Sequence, residues 1–274
     1  MLFVMSVHFR RAEWVALQRR YLDQYLDVEH RRLFEAEGIP QDAFTGKEEV
    51  FSYSGSHAQA LDNLAARALQ EAAHGDFFLF IDSDALPVAP ISQAIGLAVP
   101  LVSVRRGENN GDRQPHPCFT VSTAEFWRHL PGTWGSGYRW RNRSLHRVTD
   151  VGGNLLQRLQ EKQQGWQPIE RLNHGGVHPL WFGLYGIQGM SPLVYHHGAG
   201  SRTRKSRIDA REQRQVPWKR RRLRRKRLEW LLADNRWRHL GLPRRPTELP
   251  DPEAFSAALT RRIPMGDQFW RWLL

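Results

Sequence analysis

The chain has 274 residues, of which 41% are hydrophobic and 25% are charged. This composition is ordinary for a folded globular protein and excludes collagen-like, coiled-coil and wholly disordered chains. The length allows one or two domains with a full hydrophobic core. The formal net charge is +12, but residues 202–245 alone carry +14 and the rest of the chain carries −2. The charge therefore belongs to one segment, and the body of the protein is nearly neutral.

The cysteine content and the N-terminal sequence bear on the compartment. Cys118 is the only cysteine, so the chain forms no internal disulfide, which favours a reducing location. The apolar start, residues 1–7, lacks the basic residues of a secretory signal peptide and is shorter than the apolar core of one. No stretch of the sequence approaches the ~20 apolar residues that cross a bilayer. We therefore predict a cytoplasmic protein without membrane-spanning segments.

From residue 2 to about residue 200, short apolar runs alternate with helical periodicity, as in βα units. Residues 2–7 predict a strand, and apolar residues at three- and four-residue spacing over 14–26 predict an amphipathic helix. A short strand is predicted at 50–53 and a second amphipathic helix at 58–69. The sequence therefore predicts an α/β fold.

The continuous apolar run Phe77–Ile81 is typical of a central parallel strand that is covered on both faces. A helix is predicted to begin near Asp150. Further short strands are predicted at 99–104, 118–122, 166–172, 180–185 and 193–195. After residue 200 the composition changes abruptly, and residues 219–227 are almost wholly basic.

Two acidic residues, Asp82 and Asp84, directly follow the apolar run. Residues two apart in an extended chain face the same side, so both carboxylates can leave the sheet together. Ligands of open α/β sheets bind outside the carboxyl ends of the strands. Paired hard oxygen ligands at that edge suit Mg²⁺ or Mn²⁺ bound to a substrate phosphate. A solvated turn is the alternative interpretation of this D-x-D string.

The order of four segments resembles the GT-A glycosyltransferases, a family that uses nucleotide sugars. The segments are VMSVHFRRAEWVALQ (4–18), GSHAQALDNLAARAL (55–69), FFLFIDSDALPV (77–88) and YHHGAGSR (195–202). The resemblance implies a Rossmann-like GT-A domain over residues 1–204, with a mixed, mostly parallel sheet flanked by helices. It leaves residues 205–274 as a basic, helical C-terminal extension.

The resemblance also implies a metal site for Mn²⁺ or Mg²⁺. Asp82 would lie near the ribose and the metal, and Asp84 would bind the ion directly. A late histidine completes such sites, and the candidates here are His196 and His197. Side chains alternate along an extended segment, so one of the two faces the site. We select His197, because the glycines that follow it let the backbone approach a diphosphate closely.

Donor-binding residues are implied in the same way. Gly55, His57 and Asn63 resemble the segment that lines the nucleotide pocket, and His8 lies in the first loop, which contacts the base. Arg202, just after the late glycines, is a candidate partner for the diphosphate. Turn formation alone would also explain the glycine and serine at residues 54–56.

Asp150 has two interpretations. It precedes a predicted helix, so it can serve as an ordinary N-cap. GT-A enzymes that invert the anomeric centre place an acidic residue at the start of a helix, which makes Asp150 the candidate general base. Trp134, Tyr138 and Trp140 lie in an irregular stretch where the family places its acceptor loop. Aromatic faces suit sugar rings, although such residues also pack onto a core.

The implied reaction transfers a sugar from a nucleoside-diphosphate sugar to the hydroxyl of an acceptor, such as a cell-surface or lipid-linked glycan, with inversion. A haloacid-dehalogenase-like phosphatase is the second hypothesis, although its D-x-D usually opens the domain, whereas here 81 residues precede Asp82. Nucleic-acid binding through residues 219–227 is the third, supported by charge alone. We favour attachment of residues 217–240, which carry tryptophans, to an anionic membrane surface, against a solvated basic tail.

Overall fold

A computed structural model describes residues 1–53, 55–109, 111–130, 133–142, 145–173, 181–198, 260–265 and 268–273. The strands are β1 (Leu2–Phe9), β2 (His30–Glu37), β3 (Glu48–Ser52), β4 (Phe77–Ile81), β5 (Ala85–Pro87), β6 (Leu101–Val104), β7 (His116–Thr123), β8 (Trp140–Arg141), β9 (Arg147–Val148), β10 (Gln167–Arg171), β11 (Gly183–Gly186) and β12 (Pro192–His196). The helices are α1 (Ala12–Tyr25), α2 (His57–Glu71), α3 (Ser92–Ile95), α4 (Ala124–His129) and α5 (Gly153–Glu161), with 3-10 turns at Gln41–Ala43, Ile263–Met265 and Phe269–Leu273.

Ten strands form one mixed sheet in the order β3-β2-β1-β4-β7-β6-β10-β11-β12-β5, and β8 pairs with β9 separately. The pairings within β3-β2-β1-β4 and between β6 and β10 are parallel. Followed across the sheet, only β7, β11 and β5 run against the other strands. The predicted α/β class, with a mixed and mostly parallel sheet, is confirmed.

The sheet separates two hydrophobic clusters, because successive side chains of β1 point to opposite faces. Leu2 and Val4 lie in one cluster with residues of α1, and Phe3 and Met5 lie in the other with residues of α2 and α5. All four side chains are at most 1% exposed. The central strands are therefore covered on both faces, as the apolar run of β4 predicted.

Two strands of the ten-stranded sheet, β2 and β5, were not predicted, and their sequences explain why; the short pair β8 and β9 was not predicted either. β2 reads HRRLFEAE, so charged residues hide its apolar alternation. Its Arg32 is nevertheless buried, because the guanidinium pairs with the carboxylate of Asp23 at 2.6 Å. β5 is only three residues long and follows the acidic turn directly. It forms the edge of the sheet beside β12.

The chain returns to the body of the protein at its C-terminal end. Ile263 and Phe269 are buried in a third cluster with residues of α1, β5 and β12. The hydroxyl of Tyr21 donates to the carbonyl oxygen of Ile263 at 2.8 Å, and the ring of Phe269 meets Tyr195 edge-on at 4.9 Å. This part of the predicted extension therefore packs on α1, β5 and β12. The basic run 219–227, the segment 217–240 and Arg202 lie outside the described residues.

Within the described ranges, no helix has both the length and the apolar character that crossing a membrane requires.

Candidate metal and donor site

The candidate site lies at one edge of the sheet. Four strands that run in the same direction, β1, β4, β6 and β12, end there, and the opposed strand β7 begins there. Asp82 follows β4, Arg106 lies two residues beyond β6, and His196 is the last residue of β12. This is the edge at which open α/β sheets bind ligands.

Backbone hydrogen bonds hold the acidic turn between β4 and β5. The amide of Ala85 donates to the carbonyl oxygen of Asp82 at 2.9 Å, and the amide of His197 donates to that of Asp84 at 2.9 Å. The side chain of Gln18 on α1 is buried and donates from Nε2 to the carbonyl oxygens of Asp82 (2.7 Å) and Ala85 (3.2 Å). The turn is therefore tied to α1 and β12 as well as to its own strands.

Asp82, Asp84 and His196 bring their ligand atoms together at this turn. His196 Nε2 lies 3.3 Å from Asp84 Oδ1 and 3.6 Å from Asp82 Oδ2. One ligand atom from each residue lies within 4.8 Å of the other two. Ligands of one divalent ion at about 2.0–2.2 Å are separated by comparable distances. Two carboxylates and an imidazole are a donor set that fits Mn²⁺. These three residues are therefore the candidate ligands of the metal site predicted at this edge.

Electrostatics of the three residues follow from their burial and from one another. Burial raises the pKa of Asp82, an effect that the nearby His57, His196 and Arg106 oppose. Burial alone would lower the pKa of His196, but the neighbouring Cys118 and the carboxylate of Asp84 raise it well above its ordinary value. A metal ion that binds the imidazole of His196 therefore competes there with a proton.

The structure corrects the choice between the two late histidines. His197 lies on the opposite side of the chain from the carboxylates, where its Nδ1 is 2.9 Å from the hydroxyl of Tyr195. Its ring packs against Trp14 at 4.8 Å and Phe182 at 5.0 Å. The predicted alternation is present, but His196 is the member that faces the acidic turn. The glycines that follow His197 affect the conformation of the backbone, but they do not determine which of the two histidine side chains faces the carboxylates.

His57 is brought to the same place by α2. Its Nε2 lies 3.4 Å from Asp82 Oδ1, and its side chain is 38% exposed. Gly55 forms the exposed turn before α2 with a φ of +82°. Asn63 lies further along the helix, where its Oδ1 accepts from Gln59 Nε2 at 3.1 Å. Of these three predicted donor-binding residues, His57 contacts the carboxylates.

His8 is placed differently from the prediction. It is fully buried, with its ring 4.9 Å from Phe34 and 6.2 Å from Phe44. Burial lowers its pKa to about 4. His8 therefore packs beneath the site and exposes no atom to a nucleotide base in this conformation.

Asp150 lies in the turn before α5 but does not cap it. Gly152 is the N-cap, with a φ of +86°, and a Cβ there would lie 2.1 Å from the carbonyl oxygen of Pro115. The carboxylate of Asp150, 42% exposed, instead accepts from Arg106 Nη2 at 2.7 Å. The N-cap interpretation of Asp150 is therefore wrong: its Oδ2 faces Arg106, and its Oδ1 accepts from the amide of Val151 at 2.9 Å.

Arg106 is the functional candidate that the sequence analysis missed. Its side chain is 11% exposed, and Nη2 also lies 3.7 Å from Asp112 Oδ2. The two arginines at 105 and 106 directly follow a strand that was predicted, at 99–104. The rule that located Asp82, that ligands bind beyond the carboxyl ends of strands, was sufficient to find Arg106.

The predicted acceptor aromatics are mostly core residues. Trp134 is fully buried, with ring contacts to Phe80 at 5.0 Å and Trp127 at 5.7 Å. Trp140 is 4% exposed. The acceptor role is therefore wrong for both tryptophans, because both side chains are buried, and Trp134 belongs to the hydrophobic cluster that contains residues of α2 and α5. Tyr138 is half-buried, and its amide donates to Asn154 Oδ1 at 3.0 Å.

No protein-family model and no curated protein matches this sequence. Among solved structures, galactosyltransferase LgtC in complex with donor and acceptor sugar analogues matches over 58% of this chain and 70% of its own, with 11% identity and a TM-score of 0.37. Apo glycosyltransferase GlyE of Streptococcus pneumoniae matches over 61% and 44%, with 13% identity and a TM-score of 0.39. Mannosyltransferase PcManGT of Pyrobaculum calidifontis, in complex with GDP-Man and Mn²⁺, matches over 61% and 65%, with 14% identity and a TM-score of 0.36.

The match spans less than two thirds of the length of the latter two structures. At this identity the likeness concerns the fold. The three solved structures are glycosyltransferases.

Proposed function

We propose that this chain is a metal-dependent glycosyltransferase that moves a sugar from a nucleoside-diphosphate sugar to an acceptor hydroxyl. The observation that carries the proposal is the group formed by Asp82, Asp84 and His196 at the carboxyl end of β4. Two carboxylates and an imidazole, together at a sheet edge and largely buried, suit a divalent cation that also binds a phosphate.

The barrier of the reaction lies largely in the negative charge that accumulates on the departing diphosphate. A divalent ion bound here supplies Lewis-acid neutralisation of that charge. Asp84 and His196, which are 3.3 Å apart, would hold it, and Asp82 would face the ribose side. His57, 3.4 Å from Asp82, lies where it can orient that carboxylate. The positive charge of Arg202 would assist the same leaving group.

Asp150 is the proposed general base. It would accept the proton of the acceptor hydroxyl while that oxygen bonds to the anomeric carbon, and the bond to the diphosphate would break with its electron pair leaving on the diphosphate. Such a base contributes typically about 10²- to 10⁴-fold to the rate. Its partial exposure leaves room for an acceptor. Attack on the face opposite the leaving group inverts the anomeric centre.

Several finer assignments complete the proposal. Gly55 and Asn63 would line the donor pocket, and the acceptor would be a cell-surface or lipid-linked glycan. Residues 217–240 would attach the protein peripherally to an anionic membrane surface. Sedimentation with vesicles that contain phosphatidylglycerol tests the attachment, because binding that survives deletion of 217–240 would contradict it.

The decisive experiment is a panel of UDP-, GDP-, CMP- and dTDP-sugars, each assayed with and without Mn²⁺ for thermal stabilisation and for donor hydrolysis. We expect one base to give stabilisation that needs Mn²⁺. Asp84→Asn should abolish it, whereas Asp42→Asn, which alters an exposed acid on a surface turn, should not. Release of phosphate from an aryl phosphate, without turnover of any sugar nucleotide, would favour the phosphatase hypothesis instead.

A further inference from the structure

The guanidinium of Arg106 pairs with Asp150 at the edge of the sheet where the acidic turn lies. β6, which precedes it, is separated from β4 by β7 alone, so Arg106 and Asp82 emerge at the same edge. The positive charge of Arg106 acts on Asp82 and on His116 at the start of β7. Its Nη2 donates to Asp150 Oδ2 at 2.7 Å. One cation therefore pairs with the proposed base and also acts electrostatically on Asp82.

A nearly buried arginine is costly unless carboxylates compensate its charge. Two do so here, Asp150 at 2.7 Å and Asp112 at 3.7 Å. Asp112 is itself buried, and its carboxylate accepts from Asn109 Nδ2 at 2.5 Å. Asp112 is thus held by Asn109 of its own loop, whereas Oδ2 of Asp150 is held by Arg106.

The backbone that carries Asp150 is fixed independently of this ion pair. Gly152 packs against the carbonyl oxygen of Pro115 so closely that no Cβ fits, and its amide donates to the carbonyl oxygen of Trp134 at 2.8 Å. The turn therefore sets where the Cα of Asp150 lies. The carboxylate itself has two partners: Oδ1 accepts from the amide of Val151 at 2.9 Å, and Oδ2 accepts from Arg106.

We propose that Arg106 is a positioning residue, which fixes the direction of the carboxylate of Asp150 at this edge of the sheet. This inference rests on the proposed function, in which Asp150 accepts the proton of the acceptor. Arg106 acts through Asp150 in this proposal, and its Nη2 is engaged by that carboxylate. A guanidinium suits the task, since its rigid planar fork fixes the direction of the bond.

The test is a double-mutant cycle on the full-length protein with Arg106→Gln, Asp150→Asn and the combined variant. We expect Arg106→Gln to lower kcat by about 10- to 100-fold, part of the contribution of a base, with the KM for the donor and the affinity for Mn²⁺ unchanged. The combined variant should be no slower than Asp150→Asn alone. Arg106→Lys, which keeps the charge, should recover part of kcat.

Arg105→Gln is the matched control. The neighbouring arginine pairs with Glu170 on an exposed face, so its loss should leave kcat unchanged. Losses of kcat that multiply in the combined variant, or a raised donor KM with kcat unchanged, would overturn the proposal and indicate a contact with the diphosphate.

Thermal unfolding of the same variants gives a readout that needs no turnover. The losses in Tm of Arg106→Gln and Asp150→Asn should overlap in the combined variant, because each breaks the same pair. Losses that simply add would contradict the pairing itself, and with it the proposal. A wild-type protein that turns over no donor would instead count against the proposed function, while the unfolding cycle would still decide whether Arg106 holds Asp150.

Discussion

Gln18 Nε2 donates to the carbonyl oxygen of Asp82 at 2.7 Å, across 64 residues of sequence. A polar side chain on the buried face of α1 thereby fixes the backbone of the turn that presents both acidic ligands. The same nitrogen reaches the carbonyl oxygen of Ala85 at 3.2 Å. The backbone of the turn sets where the two carboxylates lie. The distance between the candidate metal ligands therefore depends on α1, although α1 provides none of them.

Replacement of Gln18 by methionine should therefore weaken the metal site. We expect the affinity for Mn²⁺, measured by calorimetry, to fall by about 10- to 100-fold, as for other partners that orient metal ligands. Gln24→Met is the control, since Gln24 is exposed on the same helix. Equal affinities in the two variants would show that the turn holds its shape without Gln18.

The two late histidines should separate by function. His196→Gln should abolish Mn²⁺ binding while the fold is retained. His197→Gln should retain Mn²⁺ binding but lower the Tm, because His197 packs among Trp14, Phe182 and Tyr195. Loss of metal binding in His197→Gln with an unchanged Tm would reverse the assignment.

Metal affinity should also depend on pH. The pKa of His196 and that of Asp82 are both raised without a bound ion, so Mn²⁺ competes with protons for these groups. The affinity should therefore fall as the pH is lowered, and binding should release protons that calorimetry in two buffers detects. Binding that is independent of pH would mean that these residues are not the ligands.

His8 makes stability depend on pH. The pKa of His8 is about 4 in the folded protein, against an ordinary value of 6.5 in an unfolded chain. The unfolded chain therefore binds the proton more tightly. Stability from the neutral ring is fully present above pH 6.5 and is lost as the pH falls towards 4. At 1.36 kcal/mol per pH unit the loss amounts to about 3 kcal/mol. His8→Leu should reduce this slope in urea unfolding, and an unchanged slope would contradict it.

Gly152 should not tolerate a side chain. A Cβ there would meet the carbonyl oxygen of Pro115 at 2.1 Å, and its φ of +86° is unfavourable for other residues. We expect Gly152→Ala to lower the free energy of unfolding by more than about 2 kcal/mol. Gly165→Ala should change the free energy of unfolding by less than about 0.5 kcal/mol, since a Cβ added there would meet no other residue within 4 Å. Similar stabilities would show that the turn can relax.

The sequence was sufficient to locate the acidic turn, because a wholly apolar strand followed by two carboxylates has few other interpretations. It could not choose between His196 and His197. That choice depends on the phase of β12, which its pairing with β5 sets by placing His196 opposite Ala85, and β5 was itself not predicted. Alternation along one strand gives two equivalent solutions until a neighbour is known.

Long-range contacts explain the other differences. Trp134 lies in an irregular stretch that we interpreted as an acceptor loop, yet its ring packs against Phe80 and Trp127. β2 was hidden by its charges, of which Arg32 is buried and paired. In each case a partner distant in the sequence decides whether a polar or aromatic residue is exposed. Local periodicity cannot predict such a partner.

The most direct test of the metal site is a crystal grown with Mn²⁺ and the donor nucleotide that the panel selects, with the ion located by its anomalous scattering. We expect one strong peak among the carboxylates of Asp82 and Asp84 and the imidazole of His196, in contact with the donor diphosphate. A donor bound elsewhere, or a nucleotide at this edge with no manganese among these three residues, would contradict the assignment.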